Sequence, residues 1–128
     1  MKQIETREDI EFLVDTFYFQ IQNDEILGPI FNKHIAPESW PHHLKKLTDF
    51  WQTNLFGIPA FKGNPTLKHV LVDTHLEGGM QIEHFERWLK IWAETIDEHF
   101  YGYLADRAKI SAQKMAKGQW MVIGKNRN

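Results

Sequence analysis

His69 lies in an apolar stretch of the chain, "FKGNPTLKHVLVDTH", directly after an Asn-Pro turn. Its close neighbours in the sequence are apolar: Leu67, Val70, Leu71 and Val72. A haem iron needs this kind of ligand, because the porphyrin supplies four nitrogens and the protein adds one neutral imidazole from a dry slot. A histidine held by a hydrogen bond in the core or at the surface gives the same pattern. The stretch alone therefore leaves both interpretations open.

Other chemistries lack their sequence patterns. The chain contains no cysteine, which removes disulfides, thiolate metal sites, thiol catalysis and the Cys-x-x-Cys-His attachment of haem. Ser39 and Ser111 are the only serines, and neither follows a strand in a nucleophile elbow. No glutamate stands three positions before a histidine, as a di-iron carboxylate bundle requires, and the His-Glu-x-x-His of zinc hydrolases is missing. His75 competes with His69 as a single ligand, but the neighbouring Gly78-Gly79 break would hold its ring poorly.

The composition predicts one small acidic domain over residues 1–128, with 15 Lys and Arg against 17 Asp and Glu. A net charge of -2 speaks against nucleic-acid binding and against a membrane-surface protein, since both need a basic patch. The cysteine-free chain also lacks an apolar start typical of a signal peptide, so we expect a cytoplasmic protein. Five Trp, nine Phe and three Tyr suit either a large flat ligand or a dense aromatic core.

Helical periodicity runs through almost the whole chain and predicts an all-α fold without strands. Thr6 and Asp9 resemble a capping box before a stripe of apolar residues, Ile10, Leu13, Val14, Phe17 and Ile21. We expect the longest helix at about residues 81–100, and Ala105, Ala108, Ala112 and Ala116 predict close packing of a last helix over about 104–117. The ordered helical core is expected over residues 6–117, with a frayed tail at 118–128.

The helix that follows residue 39 aligns three candidate pocket residues. Ser39 is the expected N-cap, and Pro41 suits the first turn. His43, Leu47 and Trp51 then recur at intervals of four residues, so they share one face of the helix.

Four segments, in their order and separation, resemble the third group of truncated haemoglobins. They are "FYFQIQNDEILGPIF", "WPHHLKKLTDFW", "FKGNPTLKHV" and "FERWLKIW". Leu55-Phe56-Gly57 leads directly to Ile58-Pro59, in place of the Gly-Gly pair that the other two groups carry after this helix. The resemblance implies a globin-like fold, a two-over-two helical sandwich in a single domain.

The same resemblance implies a role for each matching residue. His69 corresponds to the proximal iron ligand, and Phe31 to the phenylalanine that packs on the haem face. Tyr18, His43 and Trp88 correspond to the polar residues on the distal side, where small ligands bind. Leu47 and Trp51 correspond to residues of the distal helix that line the pocket.

The expected function is the binding of dioxygen, nitric oxide, carbon monoxide or peroxide at haem b (iron protoporphyrin IX). Nitric oxide dioxygenase or peroxidase-like activity, served by an unidentified reductase, belongs to the same expectation, as does a monomer. Lys46, Lys62 and Lys68 are candidate partners of the haem propionates. The alternative is a non-haem helical bundle with a protein-protein role, in which the aromatic side chains only form the core.

Overall fold

The computed structural model describes residues 1–58 and 81–127, and for residue 34 and residues 119–127 it describes the backbone only. Five α-helices lie in these ranges. They are α1 (Arg7–Asn23), α2 (Leu27–His34), α3 (Trp40–Phe56), α4 (Ile82–His99) and α5 (Tyr103–Arg127). The apolar stretch that carries His69 lies outside the described residues. Within the described ranges, none of the helices combines the length and apolar character needed to cross a bilayer.

The start of α1 follows directly from its sequence. The backbone N–H of Asp9 donates to Thr6 Oγ1 at 3.2 Å, and the Asp9 carboxylate accepts from the Thr6 backbone N–H at 3.1 Å. This reciprocal pair is the predicted capping box, and it satisfies donors that the first helical turn leaves unpaired. The predicted apolar stripe is buried along its whole length: Ile10, Leu13, Val14, Phe17 and Ile21.

The start of α3 differs from the prediction. A 3-10 helix, Pro37–Ser39, runs straight into α3, so Ser39 already has helical dihedral angles (φ -90°, ψ -13°) and makes no capping hydrogen bond. A side-chain cap needs an extended residue before the helix, and the 3-10 turn removes that conformation. The expected Ser39 cap is therefore wrong, whereas Pro41 does lie in the first turn.

A short parallel ladder, absent from the sequence prediction, joins the N-terminus to the α4–α5 junction. Strand β1 (Lys2–Gln3) pairs with β2 (Phe100–Tyr101), so the expectation of no strand is wrong. Two-residue strands are too short to produce a detectable alternation of apolar and polar residues. Gly102, at φ 98°, permits this close approach, because a Cβ there would meet the Gln3 side chain at 3.2 Å.

The helices form two packed pairs, α1 with α3 and α4 with α5, and α1 also packs on α4. The four predicted alanines of α5 are buried, which lets α4 and α5 approach closely: Ala105, Ala108, Ala112 and Ala116. The backbone of α5 stays helical to Arg127, so the expected end of this helix near Lys117 is wrong. The expectation that α4 is the longest helix is also wrong, because α5 has 25 residues and α4 has 18. The two pairs enclose an aromatic core, in agreement with the all-α, two-over-two arrangement expected from the sequence.

Candidate functional site

Tyr18 is the centre of an aromatic cluster built from three helices. It lies on the inner face of α1 with 3% of its surface exposed. Its ring centroid lies 6.3 Å from Phe31 of α2, 6.0 Å from Trp40 and 6.0 Å from His43, the last two on α3. We call these four residues the distal cluster.

Burial keeps the Tyr18 hydroxyl protonated. The phenolate would lose its hydration in this apolar setting, so burial raises the pKa of Tyr18 well above its ordinary value. The Trp88 side chain lies near enough to lower that pKa slightly, in opposition to burial. The neutral phenol is therefore available as a hydrogen-bond donor at physiological pH.

Trp88, on α4, brings a second donor to the distal cluster. Its indole ring is 9% exposed and packs edge-on against Phe17, with ring centroids 5.2 Å apart. The Trp88 Nε1 atom is buried and, among the residues that the structure describes, no acceptor lies within hydrogen-bond geometry of it, Tyr18 included. A buried donor without an acceptor costs about 1–3 kcal/mol. Such a cost is expected where the missing acceptor is a bound ligand.

His43 and His42 differ clearly in their surroundings. The His43 ring is half-buried and lies edge-on to Tyr18 and to Trp40, with centroids 6.0 and 5.5 Å away. His42, one position earlier on α3, is exposed. Of the two adjacent histidines, His43 is therefore the one that can influence a ligand beside Tyr18.

The other predicted pocket residues on described helices lie next to this cluster or deeper in the core. Phe31 is 6% exposed and touches Tyr18 edge-on. Leu47 is partly buried against the core, while Trp51 is 2% exposed and stacks on Trp92. The proximal candidate, His69, lies outside the described residues, as do His75, Lys62 and Lys68. Its role as the iron ligand stays a prediction.

Two features of the site were missed in the sequence. Trp40 lies three residues before His43 on the same helical face, and this spacing was a usable signal. The second is a clamp between α4 and the α1–α2 corner. Arg87, next to Trp88, donates from Nε and Nη2 to the Asp24 carboxylate at 2.7 and 2.8 Å. These two residues are far apart in the sequence, so no local pattern indicates the pair.

The Asp24 carboxylate is held in its charged form. The hydrogen bond from Arg87, helped by the backbone N–H groups of Leu27 and Ile26, lowers the pKa of Asp24 to about 2. The clamp thus fixes the start of α2, which carries Phe31, against the helix that carries Trp88.

Comparisons with known proteins agree with this geometry. A family model of bacterial-like globins matches residues 2–119. A group 3 truncated hemoglobin, ctb, from Campylobacter jejuni is 32% identical over 112 residues, which cover 83% of this chain and 84% of that protein. A crystal structure of group III truncated hemoglobin from Campylobacter jejuni matches with a TM-score of 0.83 at 30% identity, covering 96% of this chain and 95% of that one. The chain belongs to the bacterial-like globins, and it is a haem globin of the group III truncated haemoglobin type that binds small ligands.

Proposed function

We propose that this globin binds one haem b through His69 and holds dioxygen on the distal side with hydrogen bonds from Tyr18 and Trp88. The observation that carries the proposal is the buried Trp88 N–H, which has no acceptor within the described part of the chain, next to the buried Tyr18 phenol. The family match spans residue 69, and the absence of cysteine from the chain excludes thioether attachment of the haem.

The contributions of the chain follow from its side-chain chemistry. A bound haem supplies the iron to which diatomic molecules coordinate, and it shifts negative charge onto dioxygen. Tyr18 donates from its hydroxyl group and Trp88 from Nε1, and both donors are already positioned in a dry site where such hydrogen bonds are strong. Phe31, Leu47 and Trp51 supply apolar surface for the porphyrin and exclude water from it.

Replacement of the proximal histidine tests the proposal directly. His69→Gly removes the axial ligand and leaves a small apolar hole, so we expect the variant to lose haem and to recover it with added imidazole. His75→Gly is the matched control and should keep the haem absorption band of the parent. A His69→Gly variant with an unchanged five-coordinate ferrous spectrum would assign the ligand to another histidine.

The cellular reaction follows from how firmly the cluster retains dioxygen. We propose that retained dioxygen oxidises nitric oxide to nitrate, that peroxide is an alternative substrate, and that an unidentified reductase restores the ferrous iron. As a separate part of the proposal, the protein acts as a cytoplasmic monomer with one domain over residues 1–128. Stopped-flow mixing of the dioxygen complex with nitric oxide measures the first reaction, through stoichiometric nitrate and ferric protein.

The alternative of a non-haem interaction module does not explain the Trp88 donor, which is unpaired among the residues described. A single spectrum separates the two functions. Purified protein, or protein mixed with hemin, should show a strong haem band near 400 nm, the ordinary range for this chromophore. Folded protein that stays colourless with excess hemin would contradict the haem proposal.

A further inference from the structure

Three indole rings form a continuous stack that begins at the distal cluster. Trp88 and Trp92 lie one turn apart on α4, with ring centroids 6.0 Å apart and planes inclined by 13°. Trp51, from α3, stacks on Trp92, with ring centroids 4.8 Å apart and planes inclined by 24°. Their exposed fractions are 9%, 1% and 2%, so water is excluded from the whole series. We call these three residues the tryptophan stack.

The geometry of the stack differs from that of the surrounding core. Phe17 meets Tyr18, Trp88 and Trp92 edge-on, at interplanar angles of 78°, 89° and 79°. Edge-on contact is an ordinary packing mode for aromatic rings and brings little overlap between their π systems. The near-parallel indoles are offset from one another, and their centroid separations of 4.8 and 6.0 Å are short enough for an electron to pass between neighbouring rings. Indole is also among the side chains that lose an electron most easily.

Trp92, at the middle of the stack, is suited to hold a positive charge. Its Nε1–H donates to the Ala108 carbonyl oxygen at 3.1 Å. That oxygen stabilises a cationic indole, but a backbone carbonyl is too weak a base to remove the proton. Oxidised Trp92 therefore stays a protonated radical cation. Tyr18 is less suitable, because a phenol must release its proton on oxidation and this phenol is buried.

We propose that the tryptophan stack donates one electron to the haem site when a hydroperoxide reacts there, and that Trp92 holds the resulting vacancy. The inference rests on the proposed haem function. In the step, the O–O bond of hydrogen peroxide would break, one oxygen would leave as water with both peroxide protons, and the other would stay at the haem site, which would be oxidised by one electron beyond the ferric state. The two electrons required come one from the haem and one, passed through Trp88, from Trp92. No proton leaves Trp92.

The test uses the ferric, haem-loaded protein mixed with one equivalent of hydrogen peroxide and frozen within milliseconds. Electron paramagnetic resonance on protein with ring-deuterated tryptophan distinguishes an indole radical from a tyrosyl radical. We expect an indole signal in the parent. Trp92→Phe should reduce it about tenfold or more, and Trp51→Phe should shorten its lifetime. Trp120→Phe, which removes the one tryptophan that belongs neither to the stack nor to the distal cluster, should leave the indole signal in place.

Two further readouts keep the outcomes distinct. The haem band of every variant is recorded before peroxide is added, so a chain that takes up no haem contradicts the proposed function itself. In the parent, which needs no substitution, mass spectrometry after several equivalents of peroxide should locate oxidation at Trp92 or Trp88. Haem-loaded parent that forms only a tyrosyl radical, or Trp92→Phe with an undiminished indole signal, would overturn the inference while leaving haem binding intact.

Discussion

Two hydrogen-bond donors with different chemistry lie side by side at the distal cluster: the Tyr18 hydroxyl and the neighbouring Trp88 indole N–H. The Tyr18 hydroxyl both donates and accepts, whereas the Trp88 indole only donates. Because the indole N–H has no partner in the described structure, it can donate to a ligand without first breaking another hydrogen bond. A ligand that carries negative charge benefits from both donors, and a nearly neutral ligand gains little.

Removal of either donor should therefore accelerate dioxygen release selectively. A hydrogen bond to a charged group is worth about 1.5–3 kcal/mol, so Tyr18→Phe and Trp88→Phe should each raise the dioxygen dissociation rate roughly tenfold to a hundredfold. Carbon monoxide is less polar when bound, and its release should change little. Stopped-flow ligand replacement measures both rates. Tyr101→Phe, which alters an exposed phenol, is the control. Dissociation rates like those of the parent in both distal variants would show that Tyr18 and Trp88 only pack in the core.

His43 should control access to the cluster. Its half-buried ring stands beside Tyr18 and Trp40, so truncation opens space at this edge of the site. We expect His43→Ala to raise the rate of carbon monoxide association after flash photolysis several-fold. His42→Ala removes the exposed neighbour and should not change the rate. Equal rates in all three proteins would contradict a gating role.

At the scale of elements, the position of Trp88 depends on how α4 is fixed to the rest of the fold. The Arg87–Asp24 clamp ties α4 to the corner between α1 and α2. Asp24 also accepts from two backbone N–H groups at the start of α2, so the same carboxylate serves two junctions. Its side chain is 10% exposed, which limits screening of the pair by solvent.

The clamp predicts a defined pH dependence of stability. The pKa of Asp24 falls from 3.8 to about 2 on folding, so its contribution to the free energy of unfolding is complete above about pH 5 and is lost as the pH falls from there through 2. Asp24→Asn should lower the free energy of unfolding by about 1–2 kcal/mol at pH 7, and the deficit should shrink below pH 4. Urea unfolding across pH 2 to 7 measures this. A deficit that does not vary with pH would show that the carboxylate charge is unimportant.

Local chemistry explains which elements were predictable. The Thr6 capping box and the stripe from Ile10 to Ile21 depend on residues a few positions apart, and the structure has both. Ser39 failed as a cap because the preceding turn was already helical, a fact set by Pro37 and its neighbours. The β1–β2 ladder depends on two segments that are distant in the sequence, and neither is long enough to carry a pattern of its own.

The candidate site divides in the same way. Tyr18, His43 and Trp88 were predicted through the family resemblance. The structure places Tyr18 and His43 in the distal cluster with Phe31 and Trp40, and it places Trp88 next to Tyr18. Periodicity alone predicts that Trp88 is a core residue, because the sequence pattern of an apolar position on α4 is the same whether or not a ligand lies beside it. The unpaired Trp88 donor becomes visible only when the packing of α1 against α4 is known.

At the scale of the whole molecule, the β1–β2 ladder closes a long loop of the chain, since it joins residues 2–3 to residues 100–101. Closing a long loop costs conformational entropy, and the few hydrogen bonds of a two-residue ladder offset little of that cost. Ile4, which is 2% exposed, supplies the main apolar anchor of this segment. Contacts between segments so distant in sequence slow folding, so the ladder should form after the helices have packed. The N-terminal segment should also be the first to open, and amide hydrogen exchange at Gln3 and Tyr101 should outpace exchange in α1 and α4.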